Sequence, residues 1–253
     1  MLIGYASDVA IEVTRRCNMH CAHCLRGDAQ NMDITHETID NFLDGFGPGA
    51  CIGNLLFTGG EIMLNLDAIR YTLQAVKKRK ISVMSFYMVT NGKEVSLLDE
   101  LIHAAIDWYV YADDNELTGI ALSHDPFHEK LENWGKIKRT LSALSFFSAD
   151  DKDMYKQSDI ILTDEGRAKD LLGFKKRALV ISFPEIYETN NGELDISGCG
   201  RLYLSSNGNI APDCDMSYNH IDACAMANVS DKNWVERFKQ NCYEENPLFA
   251  NAV

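Results

Sequence analysis

The sequence Cys17-Asn18-Met19-His20-Cys21-Ala22-His23-Cys24 is the most informative stretch of this chain. It follows an apolar, strand-like run at 9–13 and spaces its three cysteines as C-x3-C-x2-C. Iron–sulfur cubanes take four ligands, so three thiolates on one short loop would leave one iron open. Structural zinc sites more often pair C-x2-C with a distant second pair, and a disulfide would leave one cysteine over.

A second motif follows the next apolar run, at 52–57, and reads Thr-Gly-Gly-Glu at 58–61. Gly59 and Gly60 let the backbone come close to a ligand, and Glu61 can accept hydrogen bonds from an ammonium group. With the cysteine loop, this motif resembles the radical S-adenosylmethionine (SAM) superfamily, in which a Gly-Gly-Glu motif meets the SAM amino group. A plain glycine turn is the alternative.

The resemblance implies two cofactors. Cys17, Cys21 and Cys24 would hold a [4Fe–4S] cluster whose open iron chelates SAM, with zinc binding or a structural role as the alternative. A low-potential electron donor such as flavodoxin or ferredoxin would drive cleavage of SAM to a 5′-deoxyadenosyl radical, which takes hydrogen from the substrate. His23 stands where the family usually has an aromatic residue near adenine.

Three later positions are further candidates for contacts with SAM. Asn91, in Thr-Asn-Gly at 90–92, and the pair Ser123 and Asp125 resemble family motifs at the ends of the third and fourth strands. Arg167 could hold the SAM carboxylate in a two-pronged contact. An ordinary turn, a helix cap at Asp125 and a surface arginine are the respective alternatives. Acid–base candidates nearby are His124 and His128.

Apolar runs alternate with amphipathic segments along most of the chain, which predicts an α/β fold with a parallel sheet. Six strand–helix units fit before residue 190, whereas a complete barrel needs eight. We therefore expect a partial (βα)6 TIM-like barrel, with ligands at the carboxyl ends of the strands. The predicted strands are 9–13, 52–57, 82–89, 119–122, 160–162 and 178–183, and the predicted helices begin near 35, 66, 96 and 127, the last running to 147.

The C-terminal segment has a different pattern. It reads as a β-hairpin at 196–214 turning at Asn207-Gly208, followed by a helix at 231–241. This resembles the twitch half of SPASM domains, which implies a second [4Fe–4S] cluster, although close C-x2-C pairs are absent and zinc or free thiols remain open. We divide the chain at 1–190 (barrel) and 191–253 (auxiliary domain). The four candidate ligands are Cys199, Cys214, Cys224 and Cys242.

Composition narrows the functional classes. The net charge of −13 would repel a phosphate backbone, so nucleic acid is not an expected partner. The chain has no apolar run long enough for a membrane span, and we expect no membrane partner. Eight cysteines without a signal peptide indicate metal chemistry in a reducing compartment, and we predict a cytoplasmic protein.

Two enzymatic functions fit the resemblance. One is oxidative modification, by cross-linking or dehydrogenation, of a ribosomally made peptide. The other is dehydrogenation of a small metabolite such as an amino sugar or cyclitol. A non-catalytic iron–sulfur sensor or scaffold is the alternative of another class, and it would need no SAM pocket.

Overall fold

Five parallel strands, joined by helices, form the body of the sheet. The computed structural model describes residues 1–151 and 160–245. The strands follow one another across the sheet in chain order. They are β1 (Leu2–Thr14), β2 (Phe46–Gly59), β3 (Ser82–Thr90), β4 (Gly119–His124) and β5 (Phe147–Asp151), with helices α1 (His36–Leu43), α2 (Leu66–Arg79), α3 (Leu98–Tyr111) and α4 (Trp134–Leu141) between them.

The helices pack on the sheet through the apolar stripes seen in the sequence. Ile39, Phe42 and Leu43 of α1 are fully buried, and Trp108 of α3 fills the space beside Phe57 of β2. Along β2 and β3, fully buried residues alternate with partly exposed ones, so one face of these strands packs against the helices and the other face is only partly covered. The predicted α/β class with a mostly parallel sheet is confirmed, and the described strands do not close into a barrel.

Two predicted strands do not join this sheet. The run at 160–162 becomes β6 (Ile161–Thr163), which pairs with β7 (Lys175–Arg177) in a separate two-stranded sheet. The run at 178–183 forms no strand. The fifth parallel strand is instead β5, which begins at the last residue of the segment predicted as a helix at 127–147. Only Trp134–Leu141 of that segment is an α-helix, and turns at 142–146 separate it from β5, which pairs with β4.

The C-terminal segment extends the same sheet from the other side of β1. Residues Val9–Ile11 pair in parallel with Leu202–Leu204, and residues Leu2–Ala6 pair with Glu193–Ile196. The predicted hairpin at Asn207-Gly208 is confirmed. The elements are β8 (Glu185–Glu188), β9 (Glu193–Ser197), β10 (Leu202–Leu204), β11 (Asn209–Ala211), α5 (Tyr218–Ala223), β12 (Ala227–Asn228) and α6 (Trp234–Glu245).

The two predicted domains share one core. Trp234 of α6 stacks on Phe42 of α1 at 5.4 Å between ring centroids, and its indole N–H donates to the Asn41 carbonyl at 3.2 Å. Because one core includes residues from both parts of the chain, the division at residue 190 stays a prediction. Among the helices of the described ranges, none has the length and apolar character that crossing a bilayer requires.

Candidate active site

Four strand ends meet at one cavity of about 310 Å³, which is within the range of ligand-binding pockets. The wall is formed by the cysteine loop after β1 and by the residues that follow β2, β3 and β4. The predicted site residues in this wall are Cys17, Cys21, Cys24, Gly59, Gly60, Glu61, Asn91, Ser123 and Asp125.

The three cysteines of the loop are half-buried free thiols. Burial, then the neighbouring thiols, raise the pKa of Cys21 to about 11, and burial also raises the pKa of Cys17. Both side chains are therefore thiols at neutral pH unless a positive metal centre is bound to them. A bound metal reverses this preference because it deprotonates its thiol ligands outright.

The two glycines of the 58–61 motif are needed for a backbone contact. The N–H of Gly60 donates to the Thr14 carbonyl at 2.8 Å, and the N–H of Glu61 donates to the Arg16 carbonyl at 2.9 Å. A Cβ at Gly59 or Gly60 would lie 2.1 Å from one of these carbonyl oxygens, and Gly59 has a φ of +144°. The glycines thus bring the end of β2 against the start of the cysteine loop.

Glu61 is a buried carboxylate with partners on both oxygens. Oε1 accepts from the Thr90 hydroxyl at 2.6 Å and from the Met63 N–H at 3.0 Å, while Oε2 accepts from the Asn91 N–H at 2.7 Å. Burial raises the pKa of Glu61, and the hydrogen bonds oppose that shift. A carboxylate has about four acceptor positions, so about one remains for a ligand.

Asn91 connects the third strand to the cysteine loop. Its Nδ2 donates to Asn18 Oδ1 at 3.0 Å and lies 3.9 Å from Cys17 Sγ. Lys93, which the sequence analysis did not single out, reaches the Asn18 carbonyl with its ammonium at 2.7 Å. These contacts fix the loop at the residue after its first cysteine.

Asp125 lies between two imidazoles at the end of β4. Its Oδ2 is 3.0 Å from His23 Nε2, and its Oδ1 is 2.8 Å from His128 Nδ1. Burial opposes ionisation of Asp125, but the contacts with His128 and His23 outweigh it and hold the pKa of Asp125 well below its usual value. His23 also stacks on Phe127, with ring centroids 4.6 Å apart. His124 ends β4, and its side chain lies outside the described set.

Arg167 does not line the cavity. Its Nε donates to the Cys21 carbonyl at 3.0 Å, its backbone N–H donates to the Cys24 carbonyl at 2.9 Å, and one guanidinium nitrogen pairs with Asp28 at 3.0 Å. The expected pairing of Arg167 with a SAM carboxylate stays a prediction. Arg167 braces the cysteine loop from outside.

The four C-terminal cysteines occupy different surroundings. Cys214 is buried, and Cys224 packs partly against the small apolar cluster that contains Cys214. Cys242 lies in the main core, where burial alone raises its pKa to about 12, whereas Cys199 is exposed. Three ligand atoms close enough for one ion occur among the described residues only at His23, Asp125 and His128.

A buried network that the sequence analysis missed joins the cysteine loop to the C-terminal segment. Arg15 and Glu12 are both 0% exposed and pair at 2.7 Å. Arg15 also grips Asp222 with two nitrogens at 2.7 and 2.8 Å, and Glu12 accepts a hydrogen bond from the Tyr203 hydroxyl. The only signal in the sequence was two consecutive arginines before Cys17, because pairing over such separations leaves no local pattern.

Comparison with known proteins agrees with this geometry. Residues 11–112 match the family model of the Radical SAM superfamily. No curated protein matches the sequence. A solved structure described as native anSMEcpe with bound AdoMet and Cp18Cys peptide superposes with a TM-score of 0.51 at 13% identity, covering 95% of this chain and 80% of that one. SuiB from Streptococcus suis, bound to the precursor peptide SuiA, gives a TM-score of 0.41 at 10% identity, covering 99% and 67%.

Proposed function

We propose, from the match of residues 11–112 to the family model of the Radical SAM superfamily, that this chain is a radical SAM enzyme that oxidatively modifies a ribosomally made peptide. The observation that carries the proposal is the meeting of three loop cysteines and the Gly-Gly-Glu motif around one cavity. When bound, the cluster and SAM supply reductive cleavage and a radical that abstracts hydrogen. The residues of this chain bind, orient and shield that chemistry.

The three cysteines fit the cluster. All three thiols line the same cavity, and each is partly shielded from water. Among the described residues, the sulfur atoms of these three cysteines are not grouped closely enough to be ligands of one single ion. A cluster, which is larger than one ion, suits three such thiols better.

The SAM contacts are assigned on the same basis. We propose that the remaining acceptor position on Glu61 takes the SAM amino group, while Gly59 and Gly60 hold this carboxylate close to the cysteine loop. Asn91, Ser123 and Asp125 face the same cavity and suit the polar parts of SAM. Since Arg167 lies outside the cavity, we propose that it acts on the loop backbone.

A peptide substrate is favoured over a small metabolite by one observation. The solved structure that shares the fold at a TM-score of 0.51 holds both AdoMet and a peptide. Dehydrogenation of a small metabolite is the second candidate.

We also keep the auxiliary cluster as a proposal. Cys199, Cys214 and Cys224 lie within or close to the C-terminal hairpin and the helix after it. Cys242 has the surroundings of a core thiol, and Cys242→Ala therefore tests whether it is a ligand. Iron and sulfide counts per chain test it: roughly eight irons indicate two cubanes and four indicate one.

The decisive experiment is SAM cleavage by the anaerobically reconstituted chain with dithionite, with 5′-deoxyadenosine measured by mass spectrometry. We expect product from the wild type and none from Cys24→Ala. Cys51→Ala is the matched control, because Cys51 is a half-buried free thiol on β2. Folded, iron-loaded wild type that releases no 5′-deoxyadenosine would favour a sensor or scaffold. Stimulation of the release by peptides but not by a metabolite pool would support the peptide class.

A further inference from the structure

We propose that Lys93 is a positioning residue for the iron–sulfur cluster, that it holds the cysteine loop through Asn18, and that its charge raises the reduction potential of the cluster. Glu129, the second partner of Lys93, limits the same effect. This inference rests on the proposed function, because it needs the cluster that the cysteine loop is proposed to bind. It assigns a role to residues that have no proposed contact with SAM.

The ammonium of Lys93 joins three segments that are separate in the sequence. Nζ donates to the backbone carbonyl of Asn18 at 2.7 Å and pairs with Glu129 Oε2 at 2.5 Å. Lys93 follows the end of β3, and Glu129 follows the end of β4. Since Asn18 comes directly after Cys17, the contact fixes the loop next to its first thiol.

The side chain of Asn18 is also held, and one end of its amide lacks a partner. Oδ1 of Asn18 accepts from Asn91 Nδ2 at 3.0 Å, and Oδ1 of Asn91 accepts from the Lys93 backbone N–H at 2.9 Å. These contacts fix which end of each amide is the donor. Asn18 Nδ2 is then a buried donor with no acceptor among the described residues. Buried donors are normally satisfied, and a cluster on the adjacent Cys17 would bring acceptor sulfur atoms.

The charge of Lys93 favours the reduced form of the cluster. Reduction adds one negative charge, and the net charge and the hydrogen bonds around the sulfur atoms are among the factors that set the potential. The side chain of Lys93 is 34% exposed, so water screens its charge only in part. Lys93 therefore stabilises the reduced form more than the oxidised form, which raises the potential.

Glu129 opposes this effect because its carboxylate offsets the charge of the ammonium. Its side chain is 46% exposed, so it can be replaced without opening the core. Removing the charge of Glu129 leaves Lys93 on Asn18 with its full charge. Loss of Lys93 and loss of Glu129 should therefore move the potential in opposite directions, whereas a purely structural clamp would be weakened by either change.

The test is a redox titration, followed by electron paramagnetic resonance, of the full-length, anaerobically reconstituted chain without SAM. Dithionite supplies one electron per cluster, and the signal that Cys24→Ala lacks identifies this cluster. We expect a lower midpoint potential in Lys93→Met, a higher one in Glu129→Gln, and a value near that of the wild type in Lys93→Arg, which keeps the charge. Lys78→Met is the matched control, because Lys78 is exposed in the last turn of α2, at the end away from the cavity.

Ionic strength is a second measurement on the same samples. Because Lys93 and Glu129 are both partly exposed, the upward shift in Glu129→Gln should shrink as salt is added. If Lys93→Met fails to hold iron, Glu129→Gln alone decides.

Two results would overturn the inference: an unchanged potential in folded, iron-loaded Glu129→Gln, or shifts of the two variants in the same direction. Folded wild type that takes up no cluster at the cysteine loop would instead refute the proposed function, and this inference with it. The two failures are therefore distinguishable from the iron content of the wild type.

Discussion

The Oε2 atom of Glu61 accepts a hydrogen bond from the backbone N–H of Asn91 at 2.7 Å, joining the residue after the second strand to the residue after the third. The same carboxylate receives the Thr90 hydroxyl and the Met63 N–H on its other oxygen. Glu61 therefore shapes the cavity wall as well as offering an acceptor to a ligand.

Replacing Glu61 with glutamine should impair both roles. A glutamine amide has one oxygen, so it must turn an N–H₂ group towards one of the donors that Glu61 now serves. We expect a stability loss of about 1–3 kcal/mol, the cost of an unsatisfied buried group, together with weaker SAM binding by calorimetry. Glu37→Gln, at an exposed position on α1, should change neither quantity. SAM affinity unchanged in E61Q would remove Glu61 from the proposed SAM contacts.

Gly60→Ala should disrupt the cysteine loop. Its Cβ would lie 2.1 Å from the Arg16 carbonyl oxygen, which is backbone and cannot move without moving the loop. We expect less iron per chain after reconstitution and a lower melting temperature. Gly135→Ala is the control, since nothing lies within 4 Å of its Cβ in helix α4; there alanine should stabilise by roughly 0.5–1 kcal/mol. Full iron retention in G60A would contradict the close-contact role.

Arg167→Ala and Arg167→Lys separate loop bracing from SAM binding. The guanidinium donates to the Cys21 carbonyl at 3.0 Å. If it braces the loop, both variants should lose iron during purification, while chains that keep the cluster bind SAM with unchanged affinity. A lysine keeps the charge but cannot reproduce the fork of the guanidinium. Weakened SAM affinity at full iron content would restore the role expected from the sequence.

Cys242→Ala should behave as a core substitution. The thiol is 3% exposed among apolar residues of the main core. We expect a stability loss on the order of 1 kcal/mol, the scale of one buried methylene-sized group, with iron per chain unchanged. Cys214→Ala is the comparison, because it should lower the iron count if an auxiliary cluster exists. A parallel loss of iron in C242A would make Cys242 a ligand after all.

Acid should weaken the attachment of α1 to α2 through Asp40. Its Oδ2 accepts from the Tyr71 hydroxyl at 2.6 Å, and its Oδ1 pairs with Arg79 at 2.8 Å. Burial raises the pKa of Asp40, but the contacts with Tyr71 and Arg79 lower it by a larger amount, so the pKa lies below its usual value.

The stability from this pair is therefore present above the unfolded-state pKa of about 3.9 and disappears as the pH falls through the folded-state value. Asp40→Asn should be less stable than the wild type at pH 7 and indistinguishable from it in strong acid, as measured by urea unfolding across pH. A stability difference independent of pH would show that the charge of Asp40 is not the cause.

The sequence alone was sufficient to predict those features of the structure that have a local residue pattern. The cysteine loop, the glycines at 59 and 60 and the Asn207-Gly208 turn each have spacing or residue types that only a few structures accept. The placement of the cysteine loop and of the two glycines at the carboxyl ends of strands followed from the alternation of strand and helix, and the structure confirms that these two ends meet at one cavity.

Features set by distant pairing could not be predicted. The strand at 147–151 has no pattern that separates it from the end of a helix until it meets β4. The buried pair of Arg15 and Asp222 joins residues far apart in the chain. The backbone contacts of Arg167 could not be predicted for the same reason, since only the folded chain shows which carbonyls it reaches.

The first strand pairs with β2 on one side and with β9 and β10 on the other. During translation, the segment that carries the cysteines is synthesised long before β9 and β10, which flank β1 in the sheet. Contacts between such distant segments are slow to form. We therefore expect the cysteine loop to take its final position only after β9 and β10 have been synthesised and have paired with β1.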